Sequence, residues 1–355
     1  MQQGFIHPAH RAAFWALLSL TLALFPAAAQ SSSQPPATPA EPMHEVVDEF
    51  GRTVRVPLVP ARIVSLAPNL TETIYALGAQ DRLVGDTDFC DYPPDAQKKS
   101  KVGGAVNPNL EQIAALHPDL VLVTKELNRM ETLRALDTLG IPVYATDART
   151  VDDILTTTQK LADLLGVPDA GKTLTADLRA RLAALHNNLQ TAPPTRVLFV
   201  VWTEPLISVG KQTFIADAIR KADGVSIVDA TQDWPQISLE EVARLHPEYL
   251  VFAASHSETG TRDFDALVNR PGWRILDAVR NRHFVVISDA VNRPAPRIVS
   301  AIEDLARQLH PAAFPENPSQ EKSAAPAKQG NTPAPSPARI TRDVLPSTQE
   351  TACAR

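Results

Sequence analysis

The sequence predicts an α/β protein of two lobes, each with a parallel-type central sheet flanked by helices, joined by one long backbone helix. Three observations predict it. A short passage occurs twice, as Leu110-Glu111-Gln112-Ile113-Ala114-Ala115-Leu116-His117-Pro118-Asp119-Leu120-Val121 and as Leu239-Glu240-Glu241-Val242-Ala243-Arg244-Leu245-His246-Pro247-Glu248-Tyr249-Leu250. Short apolar strands alternate with helical patterns before and after the middle of the chain. Between Val151 and Gln190 the helical pattern runs on with no strand in it. Copies so far apart do not suit a solenoid, whereas one copy in each of two similar lobes does.

The ends stand apart from this plan. Met1 to Ala29 has a weakly basic start, an apolar run from Phe14 to Phe25 and the small residues Ala27-Ala28-Ala29, the order of a cleavable export signal. The run is shorter than the roughly 20 residues that span a bilayer. No cysteine lies near the cleavage point, so no lipid anchor is indicated and the periplasm is the expected location. Residues 30–45 read as a disordered linker and residues 311–355 as a disordered Pro/Ala-rich tail. About 265 residues remain, enough for two lobes of ordinary size. They divide into an N-terminal lobe over 46–168, a bridging helix over 169–190 and a C-terminal lobe over 191–310. The only cysteines are Cys90 and Cys353, and the second sits in the tail, which argues against a framework disulfide. A formal charge of −6 without a basic cluster speaks against nucleic-acid binding.

The elements follow in order. Val46 to Val56 reads as a hairpin around Phe50-Gly51. Arg62 to Leu66 is a buried strand, and Thr71 to Leu77 a helix stopped by Gly78. Leu83-Val84-Gly85 is a second strand, followed by the loop Asp86 to Pro94. The first repeat copy supplies a helix and the strand Leu120 to Val123. Arg129 to Leu139 is a helix stopped by Gly140, and Val143-Tyr144-Ala145 a fourth strand. Gly166-Val167-Pro168 splits the long helical stretch, with Asp169 as cap of a helix from Ala170 to Leu189 about 30 Å long. Strands at Arg196–Val201, Ser226–Val228, Leu250–Ala253 and Phe284–Ile287 then alternate with helices at Thr213–Ala222, in the second repeat copy and at Asp263–Val268. Arg297 to Leu309 closes the chain as a helix.

Catalytic signatures are missing. There is no G-x-S-x-G elbow, no complete phosphate loop (Gly210-Lys211-Gln212-Thr213 lacks its upstream glycine) and no H-E-x-x-H or C-x-x-C pattern. His117 and His246 stand at the same helix–strand turn of each copy, where a turn residue before proline outweighs a metal-ligand pair. No catalytic residue and no cofactor are expected. In open parallel sheets ligands sit outside the carboxyl ends of the strands. That rule nominates Ala67-Pro68-Asn69, Asp88 to Tyr92 and Thr124-Lys125 in one lobe. In the other it nominates Trp202-Thr203-Glu204, Asp233-Trp234, Ser255-His256 and Ser288 through Arg293. Aromatics make up only 5% of the chain, yet Phe89, Tyr92, Trp202 and Trp234 all fall on these loops. Each alone reads as a packing residue. Together, with Asp289 and Arg293 as polar contacts, they suit a large flat or amphipathic ligand. An ion pair between Arg293 and Asp289 is the bland alternative.

Glu111 and Glu240 open helices whose caps are Asn109 with Gln112 and Ser238 with Glu241, the latter a capping box. Acids there gain about 0.3–1 kcal/mol from the helix dipole. A matched pair on two lobes also suits basic pockets on a two-fold partner.

At these residues the chain resembles the helical-backbone class of periplasmic binding proteins that serve ABC importers of metal chelates. The marks are Arg62 to Glu72, Cys90-Asp91-Tyr92-Pro93-Pro94, Asn109-Leu110-Glu111 with His117 to Val121, Trp234 to Ser238, and Pro296-Arg297. Among them Asp91 to Pro94, Trp234-Pro235-Gln236 and Asp289 to Arg297 are most similar to the cobalamin-binding branch. The resemblance implies a monomer that holds a small ligand between its lobes and engages arginines of a permease dimer through Glu111 and Glu240. It implies corrinoid contacts at Phe89, Trp234, Asp289 and Arg293. Ala105 and Thr124 depart from it, standing where that branch often places tryptophans. The expected function is capture of a corrinoid, cobalamin first, with a ferric siderophore or haem as alternative cargo. An exported metal-chelate enzyme on the same superfold is the second alternative.

Overall fold

The computed structural model describes residues 42–254 and 264–314. The expected export signal, residues 30–41 of the linker, Ser255-His256, Asp263 and the tail from residue 315 with Cys353 lie outside the described residues.

Strands β1 (Met43–Val47) and β2 (Thr53–Pro57) form an antiparallel hairpin, so part of the stretch read as linker, from Met43 to Glu45, is β-strand. The Asp48 carboxylate accepts the N–H groups of Phe50 at 3.0 Å and Arg52 at 2.8 Å, and Gly51 takes φ +77°, the turn its lack of a Cβ permits. The first lobe then runs β3 (Ile63–Ser65), α1 (Pro68–Ala76), β4 (Leu83–Asp86), β5 (Ser100–Lys101), α2 (Leu110–Ala115), β6 (Leu120–Thr124), α3 (Met130–Thr138) and β7 (Val143–Thr146). Its sheet is parallel throughout, in the order β5-β4-β3-β6-β7. The strand β5 escapes sequence reading because two residues carry no period. Every residue of β3, β6 and β7 is buried, since helices cover both faces; an unbroken apolar run is what that burial selects.

Helices α4 (Val151–Leu164) and α5 (Pro168–Leu189) follow. A capping box of Thr150 and Asp153 starts α4, whereas α5 starts with Pro168 at its first position, so Asp169 lies in the first turn and not at the cap. Both helices join the lobes. Val151, Ile154 and Leu155 of α4 belong to the core of the second lobe, while Leu161 and Leu164 belong to that of the first. Gly171 of α5 faces Ala162, where an added Cβ would come within 2.4 Å of the alanine's own. That close approach lets the two helices pack as a pair.

The second lobe begins with β8 (Thr195–Val200) and a small hairpin of β9 (Trp202–Thr203) and β10 (Leu206–Ile207). It continues through α6 (Phe214–Lys221), β11 (Gly224–Ser226), α7 (Leu239–Leu245), β12 (Tyr249–Ala253), α8 (Phe264–Asn269), α9 (Asp277–Arg280), β13 (Phe284–Ile287) and α10 (Ile298–Leu309). Its sheet is again all parallel, in the order β11-β8-β12-β13. Strand β11 starts and ends two residues earlier than expected, while the Ile227 N–H still donates to the Val197 carbonyl of β8 at 3.0 Å and Ile227 and Val228 pack in the core.

The repeated passage occupies the same place in both lobes: α2 feeds β6 beside β3, and α7 feeds β12 beside β8. His117 and His246 end their helices with φ 45° and 47°, the left-handed residues that turn each helix into its strand. An arginine entering the neighbouring strand caps each helix. Arg62 donates to the Leu116 carbonyl at 2.6 Å, and Arg196 donates to that of Leu245. The acid after each proline returns the bond: Asp119 accepts the Arg62 N–H at 3.0 Å, and Glu248 that of Arg196 at 3.0 Å. The structural unit therefore includes an arginine far from the repeat in sequence. One expectation is corrected here. Ser238 does accept the Glu241 N–H, at 3.1 Å, but the Glu241 carboxylate pairs with Arg244 and does not complete a capping box.

Candidate ligand-binding cleft

In both sheets the strand order reverses beside the first strand, between β3 and β6 and between β8 and β12. The loops leaving the carboxyl ends there are the places for a ligand. A cavity of about 220 Å³ is lined by Pro68, Asn69, Asp91, Glu126 and Leu127 of the first lobe and Asp289, Asn292, Arg293 and Pro294 of the second. A narrower hollow beside it is lined by Thr124, Glu126, Asp147, Arg149, Asp233 and Trp234. Glu126 belongs to both.

Buried polar groups hold these loops. Asn128 donates to the carbonyls of Leu66 at 2.9 Å and Ala105 at 2.8 Å, and its Oδ1 accepts the Thr124 N–H at 2.7 Å. One side chain thus ties three cleft segments, among them the two positions that depart from the cobalamin branch. Lys101 Nζ binds Asp86 at 2.7 Å and the carbonyls of Cys90 and Ala96 at 3.2 Å each, which fixes the loop carrying Phe89, Asp91 and Tyr92. Burial pushes Asp86 up to about 6 against the pull of Lys101. The Cys90 thiol is buried within hydrogen-bond distance of Thr71 and Thr87.

Charges clasp the lobes across the cleft. Arg149 holds Asp233 with two bonds, of 2.7 and 3.1 Å. Arg293 pairs with Asp91 at 2.7 Å and with Glu72 of α1 at 2.7 Å. Arg297 adds two bonds to Glu72, of 2.8 and 3.0 Å, and lies 3.9 Å over the Tyr92 ring. Burial works against ionisation of Asp91, but the hydrogen bond and charge of Arg293 outweigh it and hold the carboxyl below its usual value. Glu126 is an exposed residue that lines both hollows, near Arg149, Asp147 and Asp233. Desolvation raises it to about 7 despite Arg149, and Asp233 and Asp147 add to the rise.

The nominated residues are distributed unevenly over this geometry. Asp289 and Arg293 meet in the main cavity, and Trp234 lines the hollow next to it. Phe89 and Trp202 lie outside both; they are exposed on their loops by 64% and 48%, as Trp234 is by 45%, so packing accounts for none of the three. The Trp202 indole N–H donates to the Glu204 carbonyl at 2.8 Å. Tyr92 lines a separate cavity with α5 and α10. Glu111 and Glu240 are exposed in the first turns of α2 and α7 and form no ion pair among the described residues. Glu126, Asn128, Glu72 and Arg149 are residues that sequence reasoning missed. Glu126 had a signal, one position beyond the nominated Thr124-Lys125, and Glu72 closes the stretch Arg62 to Glu72 that carries the resemblance. Among the described residues no group of three or more His, Cys, Asp and Glu is placed to hold a metal ion.

Residues 63–291 match the family described as Periplasmic binding protein. A vitamin B12-binding protein of Vibrio vulnificus (strain YJ016) is 32% identical over 250 residues, covering 69% of this chain and 88% of that protein. The crystal structure of the periplasmic vitamin B12 binding protein BtuF of Vibrio cholerae superposes with a TM-score of 0.64 at 28% identity, over 73% of this chain and 100% of that one. The periplasmic heme-binding protein RhuT from Roseiflexus sp. RS-1, in apo form, superposes with a TM-score of 0.65 at 28% identity, over 71% of this chain and 98% of that one. The two-lobed parallel fold, the cleft at the switch points and this match along most of the described residues agree: the chain belongs to the periplasmic binding protein family, whose members bind a transported ligand and are not enzymes.

Proposed function

We propose that the protein captures a corrinoid, cobalamin first, and delivers it to the permease of an ABC importer. The observation that carries this reading is the set of unpacked rings Phe89, Trp202 and Trp234 on strand-end loops of both lobes. Large apolar rings left in water beside a cleft are what a flat, partly apolar cargo needs. The names of the relatives support the same cargo. The present cavity of about 220 Å³ is too small for a tetrapyrrole, so capture requires the Arg149–Asp233 and Arg293–Asp91 clasps to part. Glu111 and Glu240 serve as the docking pair: each is the exposed acid in the first turn of equivalent helices, one per lobe. Haem is the second reading, favoured by the equal likeness to the RhuT structure.

Parallel titrations of the full chain with cobalamin, haem and a ferric hydroxamate, read by tryptophan fluorescence, test the cargo. Cobalamin is expected to quench with submicromolar affinity, and Trp234→Ala to weaken it about tenfold or more. Silence toward cobalamin with saturation by either of the others overturns the first choice.

A further inference from the structure

The Glu72 cluster separates two cavities. On one side Arg293 lines the cleft. On the other, Glu72 and Arg297 line a second cavity of about 360 Å³ that shares no lining residue with the first. Three elements wall it: α1 of the first lobe through Tyr75 and Ala76, α5 through Leu174 and Leu178, and the start of α10 in the second lobe through Arg297 and Ser300. The size falls in the range of small-molecule sites. Its walls are mainly apolar, with the rings of Tyr75 and Tyr92 among them. Two guanidiniums converge on it. Arg181 spends Nε and Nη2 on Glu303 and Ser300, and Arg297 spends Nε and Nη2 on Glu72. Among the described residues neither uses Nη1 in a hydrogen bond, so each keeps a donor for an occupant.

We infer that this cavity between α1, α5 and α10 is a second binding site, for a small flat aromatic molecule bearing one anionic or hydrogen-bond-accepting group. The ring packs among Leu174, Leu178 and the two tyrosines, and the acceptor meets the arginine donors. An occupant touches both lobes and the helix between them, so it stabilises the arrangement in which the cleft is small. On the cargo reading above, it therefore opposes capture, and cargo lowers its affinity by the same factor.

The probe is 8-anilinonaphthalene-1-sulfonate, titrated into the full chain and followed by its own fluorescence, which needs no cargo. A saturable site is expected. Ala76→Phe and Ser300→Phe, which fill the cavity from opposite lobes at exposed positions, are each expected to weaken it about tenfold or more with an unchanged melting midpoint. Either variant suffices if the other fails to fold. No saturable binding in the parent chain, or binding that survives the substitutions in folded protein, overturns the site, whereas failure of cobalamin binding leaves this result untouched.

Discussion

Two side chains in the cleft have effects out of proportion to their size. Asn128 is buried and makes three bonds to three segments, so Asn128→Ala leaves carbonyls of Leu66 and Ala105 without their partner. Each buried group stripped of its bond costs about 1–3 kcal/mol. Denaturant unfolding is expected to show a loss of that order, with weaker cargo binding because the loops shift. Glu126 carries a pH dependence. Its folded value, about 7, lies above that of the unfolded chain, so the native state holds the extra proton up to about that pH. Its contribution to stability is therefore lost as pH rises through about 7. Cargo over the carboxyl removes more water, so affinity is expected to fall about threefold between roughly pH 6 and pH 8. Titrations across that range check it, and Glu126→Gln should flatten the profile. A slope that persists in this variant assigns the proton elsewhere.

At the scale of elements, the duplicated helix–strand unit divides its residues between fold and surface. His117, His246, Arg62 and Arg196 end the helices and tie them to the sheets, which explains the repeat without any ligand. Glu111 and Glu240 take no part in those bonds. Replacing both by alanine is expected to leave cargo affinity unchanged and to impair uptake in a transport assay with the cognate permease. Equal loss of cargo binding would place them in the pocket or the fold instead. The corrected detail at Glu241 fits this division, because its carboxylate is spent on Arg244 while Glu240 stays exposed.

For the whole molecule, the lobes are joined by α4, α5 and a buried charge cluster. The Glu72 side chain is 3% exposed and receives both Arg293 and Arg297. Removing one partner of a buried cluster strands the others, at a cost of about 3 kcal/mol or more. Glu72→Gln is therefore expected to lower the melting midpoint and to widen the spacing of the lobes seen by X-ray scattering. An unchanged spacing would show that the paired helices hold the lobes by themselves.

Much of this was legible in the chain. Strand and helix patterns were readable because burial on both sheet faces demands continuous apolar runs, and helix ends because Gly78 and Gly140 take positive φ there. Part of the cavity lining, Pro68, Asn69, Asp91, Asp289 and Arg293, falls on loops that parallel topology nominates. What escaped depends on contacts between residues far apart in sequence. Glu72 reads as an ordinary helix acid until Arg293 and Arg297, more than two hundred residues later, are folded onto it. Arg62 and Arg196 read as strand residues until the repeat helices end beside them. The sequence by itself determined the family and the two sheets, since local pattern and topology suffice for those. Only the tertiary structure decided which nominated residues meet, that Tyr92 turns toward a second cavity and that Glu126 stands in the first. Side-chain direction and desolvation arise from packing across the two lobes, and no local pattern encodes them.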